Sequence, residues 1–127
     1  NVFKSIIFKK KIRKIDIWYK KASIFILPSR YEGMPNVIIE AMQSKTAIIG
    51  SNILGIKYFI KNKLNGIIFK NNDENSLIKM INLLVNNSKL RDKLAQNGKN
   101  SINKYIRYNN FLGIWENQLN KIIENEN

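Results

Sequence analysis

The stretch Pro28-Ser29-Arg30-Tyr31-Glu32-Gly33-Met34-Pro35-Asn36-Val37-Ile38-Ile39-Glu40-Ala41-Met42 decides how the rest of the chain is read. It is entered from an apolar run, Ile24-Phe25-Ile26-Leu27, with the length and β-branched content of a buried strand. It breaks at Pro28, turns through Ser29 and Gly33, and restarts at Pro35 as an apolar helical segment. Proline suits the start of a helix, where its missing N–H costs nothing and its fixed φ is already helical. Strand, turn and helix in that order open a βαβ unit. In open α/β sheets, ligands bind in the crevice beyond the carboxyl ends of the strands.

The first N–H groups of such a helix have no intrahelical acceptor, and the helix dipole puts positive potential beside them. A diphosphate is the natural ligand for that mouth, with no basic side chain required. Glu40 lies about one turn inside the helix, roughly 5 Å from the amides around Val37. That distance suits a carboxylate accepting from a ribose diol. Glu32 precedes Glu40 by eight positions and faces the other end of a diphosphate, where a sugar would hang. Spacing alone assigns no role, because two glutamates so placed read first as a solvated loop residue and an exposed helical one.

Working outward, short apolar runs alternate with longer amphipathic ones, the pattern of a parallel sheet covered by helices. Strands are expected at residues 5–8, 23–27, 47–50 and 66–69, each nearly all apolar. Helices are expected at residues 14–21, 36–44 and 56–61. After Phe69, the polar turn Asn71-Asn72-Asp73-Glu74 supplies capping groups for a helix carrying Leu77, Ile78, Ile81, Leu83 and Leu84. Ser88 offers a cap for the next helix, with Leu90, Leu94, Ile102 and Ile106 on one side. A separate last helix carries Phe111, Ile114, Trp115, Leu119, Ile122 and Ile123, and the acidic, Asn-rich tail beyond it is expected to fray. The expected fold class is therefore α/β: a Rossmann-like parallel sheet with helices on both faces, ending in a helical cap. One domain is expected over 1–127, with an α/β core at 1–70 and C-terminal helices at 71–127.

Composition narrows the chemistry. The 127 residues hold no Cys and no His, which removes disulfides, thiolate nucleophiles, Cys/His zinc sites and Ser-His-Asp catalysis from this segment. The net charge of +13 invites nucleic acid as a partner, but the lysines run from Lys4 to Lys121 among many Ile and Asn residues. That is a composition bias more than a patch, and nucleic acid is not expected. The one dense group is Lys9, Lys10, Lys11, Arg13 and Lys14. No apolar run approaches the roughly 20 residues that span a bilayer, and no signal-peptide pattern is present. The start at Asn1, followed at once by strand-like sequence, predicts that the chain opens inside a longer protein.

Residues 29–42 closely resemble the E-x7-E signature of the large group 1 (family 4) glycosyltransferases, retaining enzymes of the GT-B fold. The resemblance extends to the preceding strand, Ala22-Ser23-Ile24-Phe25-Ile26-Leu27-Pro28-Ser29, and the following one, Thr46-Ala47-Ile48-Ile49-Gly50-Ser51. It continues through Asn65-Gly66-Ile67-Ile68-Phe69 and the segment from Phe111 to Trp115. It implies an N-terminally truncated nucleotide-sugar-binding domain, the C-terminal part of a GT-B enzyme whose acceptor-binding domain is missing here. Residue by residue, it implies that Glu32, the catalytic residue, holds the donor sugar at the reacting centre and that Glu40 binds the nucleotide ribose. Gly33 would let backbone approach the sugar, Met34 would line its pocket, and the amides around Asn36, Val37 and Ile38 would face the diphosphate. No metal and no cofactor are implied beyond the nucleotide-diphosphate sugar itself.

The implied reaction is sugar transfer to a hydroxyl acceptor with retention, in surface polysaccharide or glycolipid biosynthesis. The isolated chain is expected to be inactive. The expected location is cytoplasmic, with peripheral contact to an anionic membrane surface on the cytosolic side as a further expectation. Three departures stand out. Lys45 occupies a helix-end position better suited to Gly, Ala47 stands in place of Pro, and Leu54-Gly55-Ile56-Lys57-Tyr58 replaces a Gly-Gly-x-x-Glu pattern. The rival assignments are a basic module for anionic surfaces and an inactive glycosyltransferase remnant.

Overall fold

The segment Ala47–Ser51 is buried at all five positions, as a strand covered on both faces must be. The computed structural model describes residues 6–125 and, for Trp115 and residues 118–125, the backbone alone. The elements run α1 (Ile15–Lys21), β1 (Ile24–Leu27), α2 (Asn36–Gln43), β2 (Ala47–Ser51), α3 (Leu54–Phe59), β3 (Ile67–Phe69), α4 (Glu74–Val85) and α5 (Ser88–Asn125). The sheet order is β1-β2-β3. Both pairings are parallel, with Ile24 opposite Ala47, Leu27 opposite Gly50, Ile49 opposite Ile67 and Ser51 opposite Phe69.

The two-residue period of the strands sorts their side chains onto two faces. Ile48 packs with Ile38, Ala41 and Met42 of α2, Ile56 and Phe59 of α3 and Ile102 of α5. Ala47 and Ile49, one step either side, pack with Ile67 and Phe69 of β3, Leu84 of α4 and Leu94 of α5. The sheet is thus covered on both faces, and α5 contributes to both clusters. α2 follows from its own spacing: Ile38, Ala41 and Met42 recur at i, i+3 and i+4 and are its buried residues. α4 begins where the Asp73 carboxylate accepts from the Ser76 N–H at 2.9 Å, the capping expected from the polar turn. No helix among the described residues is long and apolar enough to cross a membrane.

Several boundaries differ from expectation. Residues 6–8 form no strand, and Ile6, Ile7 and Phe8 are exposed; Ser5 lies outside the described residues. β1 pairs with β2 and is the edge strand of the described sheet, and residues 6–8 do not pair with its free side. α3 starts at Leu54 and ends at Phe59, two residues earlier than expected at each end, with Gly55 inside its first turn. The last two expected helices are one, α5, running through Tyr108-Asn109-Asn110 to Asn125. Asparagine costs a helix well under 1 kcal/mol and does not break it as proline does. The cap of α5 is Asn87, whose Oδ1 accepts from the Leu90 N–H at 2.9 Å, and Ser88 is the first helical residue.

The end of α2 shows what Lys45 costs. Its φ is 58°, in the left-handed region. The Thr46 N–H bonds the Ala41 carbonyl at 3.1 Å and the Lys45 N–H bonds the Met42 carbonyl at 3.0 Å, the paired bonds of a Schellman termination. A side chain at the left-handed position costs about 1–2 kcal/mol, partly offset by the entropy that glycine loses on folding. Lys45→Gly is therefore expected to stabilise the chain by about 1 kcal/mol. Thermal unfolding should show a rise of a few degrees, and a fall in Tm would mean that the lysine side chain makes a stabilising contact.

Candidate functional site

Three parallel strands end at one edge of the sheet, and the segments that follow them enclose a cavity of about 370 Å³. Ser29 and Arg30 line it after β1, Ser51 at the end of β2, and Phe69, Asn71 and Asp73 from β3 to the start of α4. This is the crevice beyond the carboxyl ends of the strands where open α/β sheets bind ligands.

The loop carrying Glu32 is fastened to that edge. The Ser29 hydroxyl donates to Glu32 Oε1 at 2.8 Å, and the Ser51 hydroxyl donates to the Ser29 carbonyl. Glu32 is half-buried. Gly33 is exposed, and a Cβ placed on it would meet nothing within 4 Å. Tyr31 and Met34 are exposed as well, at 89% and 62%. These side chains form an open rim and take no part in the core.

Pro35 caps α2 in extended conformation, φ −78° and ψ 91°, with no side-chain hydrogen bond and no acidic residue in the first turn. The start of the helix carries no carboxylate to offset its positive end. The expectation for the leading amides needs one correction. The Ile38 N–H donates to the Pro35 carbonyl at 3.0 Å and the Ile38 side chain is fully buried, so this residue is engaged inside the molecule. Asn36 is exposed and Val37 half-buried, and their amides precede any intrahelical acceptor.

Glu40 is exposed one turn further along α2. It meets Tyr19 of α1, a buried residue that sequence patterning did not single out. Burial, then the Glu40 charge, then a hydrogen bond to Glu40 push the Tyr19 hydroxyl up from 10.0 to about 12. The Tyr19 ring packs edge-on against Phe25 at 5.3 Å, and its carbonyl accepts from the Thr46 hydroxyl at 2.7 Å. An aromatic residue in a short amphipathic helix announces burial and nothing about its hydroxyl, which is why the partner of Glu40 was missed. Because the folded pKa lies above the unfolded one, the contribution is present below pH 10.0 and lost as pH rises towards about 12. Ultraviolet titration should show one late tyrosine step, absent in Tyr19→Phe and moved to lower pH in Glu40→Gln, where burial alone still holds it up. A late step that does not move in Glu40→Gln would rule out the Tyr19–Glu40 contact.

Gly55 and Ser51 were also passed over as site residues, although both bear on the Glu32 loop. Tyr58, which departs from the expected acid, is turned elsewhere: its ring stacks edge-on with Phe59 at 5.0 Å and Tyr105 of α5 at 6.2 Å.

The sequence pattern described as glycosyl transferases group 1 matches residues 2–101. The chain belongs to this family. It is 34% identical over 87 residues to an uncharacterized glycosyltransferase of Haemophilus influenzae, which covers 68% of this chain and 25% of that protein. The C-terminal domain of a group 1 glycosyltransferase, LpcC, from Francisella tularensis superimposes with a TM-score of 0.69 at 29% identity, over 78% of this chain and 51% of that one. S. aureus TarM superimposes with a TM-score of 0.81 at 25% identity, over 91% of this chain and 24% of that one. The α/β architecture with its helical end is thus that of the GT-B glycosyltransferases, and the match to LpcC is to a C-terminal domain. The group 1 chain spans about a quarter of the length of the curated relatives it matches.

Proposed function

We propose that this chain is the donor-binding part of a retaining glycosyltransferase, which moves a sugar from a nucleotide-diphosphate donor to a hydroxyl acceptor. The observation that carries the assignment is the start of α2: a helix mouth without side-chain cap or acid, between a glutamate on the loop before it and another one turn inside it. The diphosphate accepts from the Asn36 and Val37 amides, where the helix dipole also favours it. Glu40 accepts from the ribose hydroxyls and Glu32 from the sugar hydroxyls, each carboxylate kept off the phosphates by a hydroxyl between them. Gly33 and Met34 form the exposed rim beside the sugar.

In the transfer, the bond between the anomeric carbon and the diphosphate oxygen breaks. A bond from the acceptor oxygen forms on the same face, and the acceptor proton leaves with the diphosphate. Charge builds on the departing diphosphate, so donors fixed in advance at the helix mouth act on the step that limits the rate. The relatives support both the donor class and the setting. TarM was solved with UDP, and an Escherichia coli relative, 35% identical over 83 residues, is a UDP-Gal:alpha-D-GlcNAc-diphosphoundecaprenol alpha-1,3-galactosyltransferase. Assembly of a surface glycan or glycolipid is the process proposed here.

Calorimetry on the isolated chain with UDP, GDP and CDP provides the test. One nucleoside diphosphate is expected to bind weakly, with no sugar transfer, because the chain is a quarter of its relatives' length. Full transfer by the chain alone would contradict the division of labour. Salt-dependent nucleic-acid binding with no response to any nucleotide would contradict the assignment itself.

A further inference from the structure

Two glycines lie near Glu32, and they differ in what surrounds them. Gly33 has open space where a side chain would go. Gly55, in the first turn of α3, is buried and does not have positive φ, so backbone freedom is not what calls for glycine there. The cause is close approach. A Cβ on Gly55 would overlap the Glu32 carbonyl oxygen and stand 2.8 Å from the Gly33 carbonyl oxygen, where ordinary contact begins at 3.4 Å. All three nearest atoms belong to the backbone of the loop, which cannot swing aside as a side-chain tip can.

The same loop is held a second time by the same strand-to-helix unit. Ser51, 2% exposed at the end of β2, donates to the Ser29 carbonyl, and the Ser29 hydroxyl donates to the Glu32 carboxylate. Residues 28–35 have no helix or strand of their own. Their position is therefore set by what they rest on, and they rest on the turn from β2 to α3. We propose that Gly55 and Ser51 are positioning residues that set where the Glu32 carboxylate stands, Gly55 by letting the loop backbone settle against α3 and Ser51 by fixing Ser29. This rests on the assignment of Glu32 to the donor sugar.

Adding a methyl group at Gly55 must displace the Glu32 carbonyl by about 1 Å, and a misplacement of that size costs a positioned group about 10²-fold in rate. The experiment uses the full-length protein with its nucleotide-sugar donor. Gly55→Ala is expected to lower kcat about 10²-fold and Ser51→Ala about 3- to 10-fold. Nucleoside diphosphate affinity should stay within about twofold in both, because Glu40 and the start of α2 are untouched. Adding either substitution to Glu32→Gln should cost almost nothing further, since the group being positioned is already lost. A purely structural role would instead lower stability and affinity together and add to the Glu32→Gln loss.

Wild-type kcat in Gly55→Ala and Ser51→Ala, or full additivity with Glu32→Gln, overturns the proposal. If Gly55→Ala does not fold, the Ser51→Ala cycle decides alone. Wild-type kcat in Glu32→Gln is a separate outcome: it overturns the role given to Glu32, and the proposal with it.

Discussion

Replacing Glu32 by glutamine in the full-length protein is expected to lower kcat about 10²- to 10³-fold and to leave the Kd of the nucleoside diphosphate within about threefold. Glutamine keeps the size of the side chain and one acceptor oxygen, so what is lost is a charged acceptor held in place by Ser29. The loss is expected on kcat because the proposed contact is with the migrating sugar, whose hydroxyls shift as the anomeric carbon flattens. Steady-state rates with the sugar donor, set beside calorimetry with the nucleotide alone, separate the two effects. A drop in nucleotide affinity equal to the drop in kcat would show that Glu32 serves general binding instead.

Glu40→Ala has the opposite signature. The proposed charge-assisted contact of this exposed carboxylate with the ribose diol is worth about 1.5–3 kcal/mol in all, so its loss should weaken nucleotide binding about 10- to 10²-fold. The rate at saturating donor should change little. Tyr19 refines this expectation: its hydroxyl bonds Glu40 in the absence of nucleotide, so Tyr19→Phe leaves Glu40 in place with one acceptor site freed. A modest change in affinity is expected there, far below that of Glu40→Ala. Equal losses in both variants would mean that the Tyr19 hydroxyl itself touches the nucleotide.

Much of this arrangement was legible because local signals agreed with one another. The Ile24–Leu27 run, the turn at Ser29 and Gly33 and the proline before Asn36 all point to a strand feeding a helix, and β1 and α2 lie there. Asp73 announced its cap by residue type and spacing. The strand expected at residues 5–8 is not formed over the described residues 6–8, because an apolar run states that a strand is wanted without naming its neighbour. The expected division of α5 is absent because the helix runs on through Asn109 and Asn110, whose weak helix preference is too small to end it.

The missed site residues share one property: their roles are contacts across long sequence separation. Ser51 reaches Ser29 over 22 positions, and Gly55 meets a carbonyl 23 positions earlier. No periodicity encodes such a meeting. The Gly-x-x pattern around Gly55 marked the place as unusual, yet only the packed structure shows that the demand comes from the loop bearing Glu32. Gly33, which draws the eye in the sequence, is under no steric demand from this domain.

The most direct test is a crystal structure of the full-length protein with whichever of UDP, GDP or CDP binds most tightly. The diphosphate is predicted to accept from the Asn36 and Val37 N–H groups at about 2.7–3.1 Å, with the ribose diol on Glu40 and the β-phosphate towards Glu32. A nucleotide bound with its diphosphate away from the start of α2, or with its ribose beside Glu32, would contradict the account.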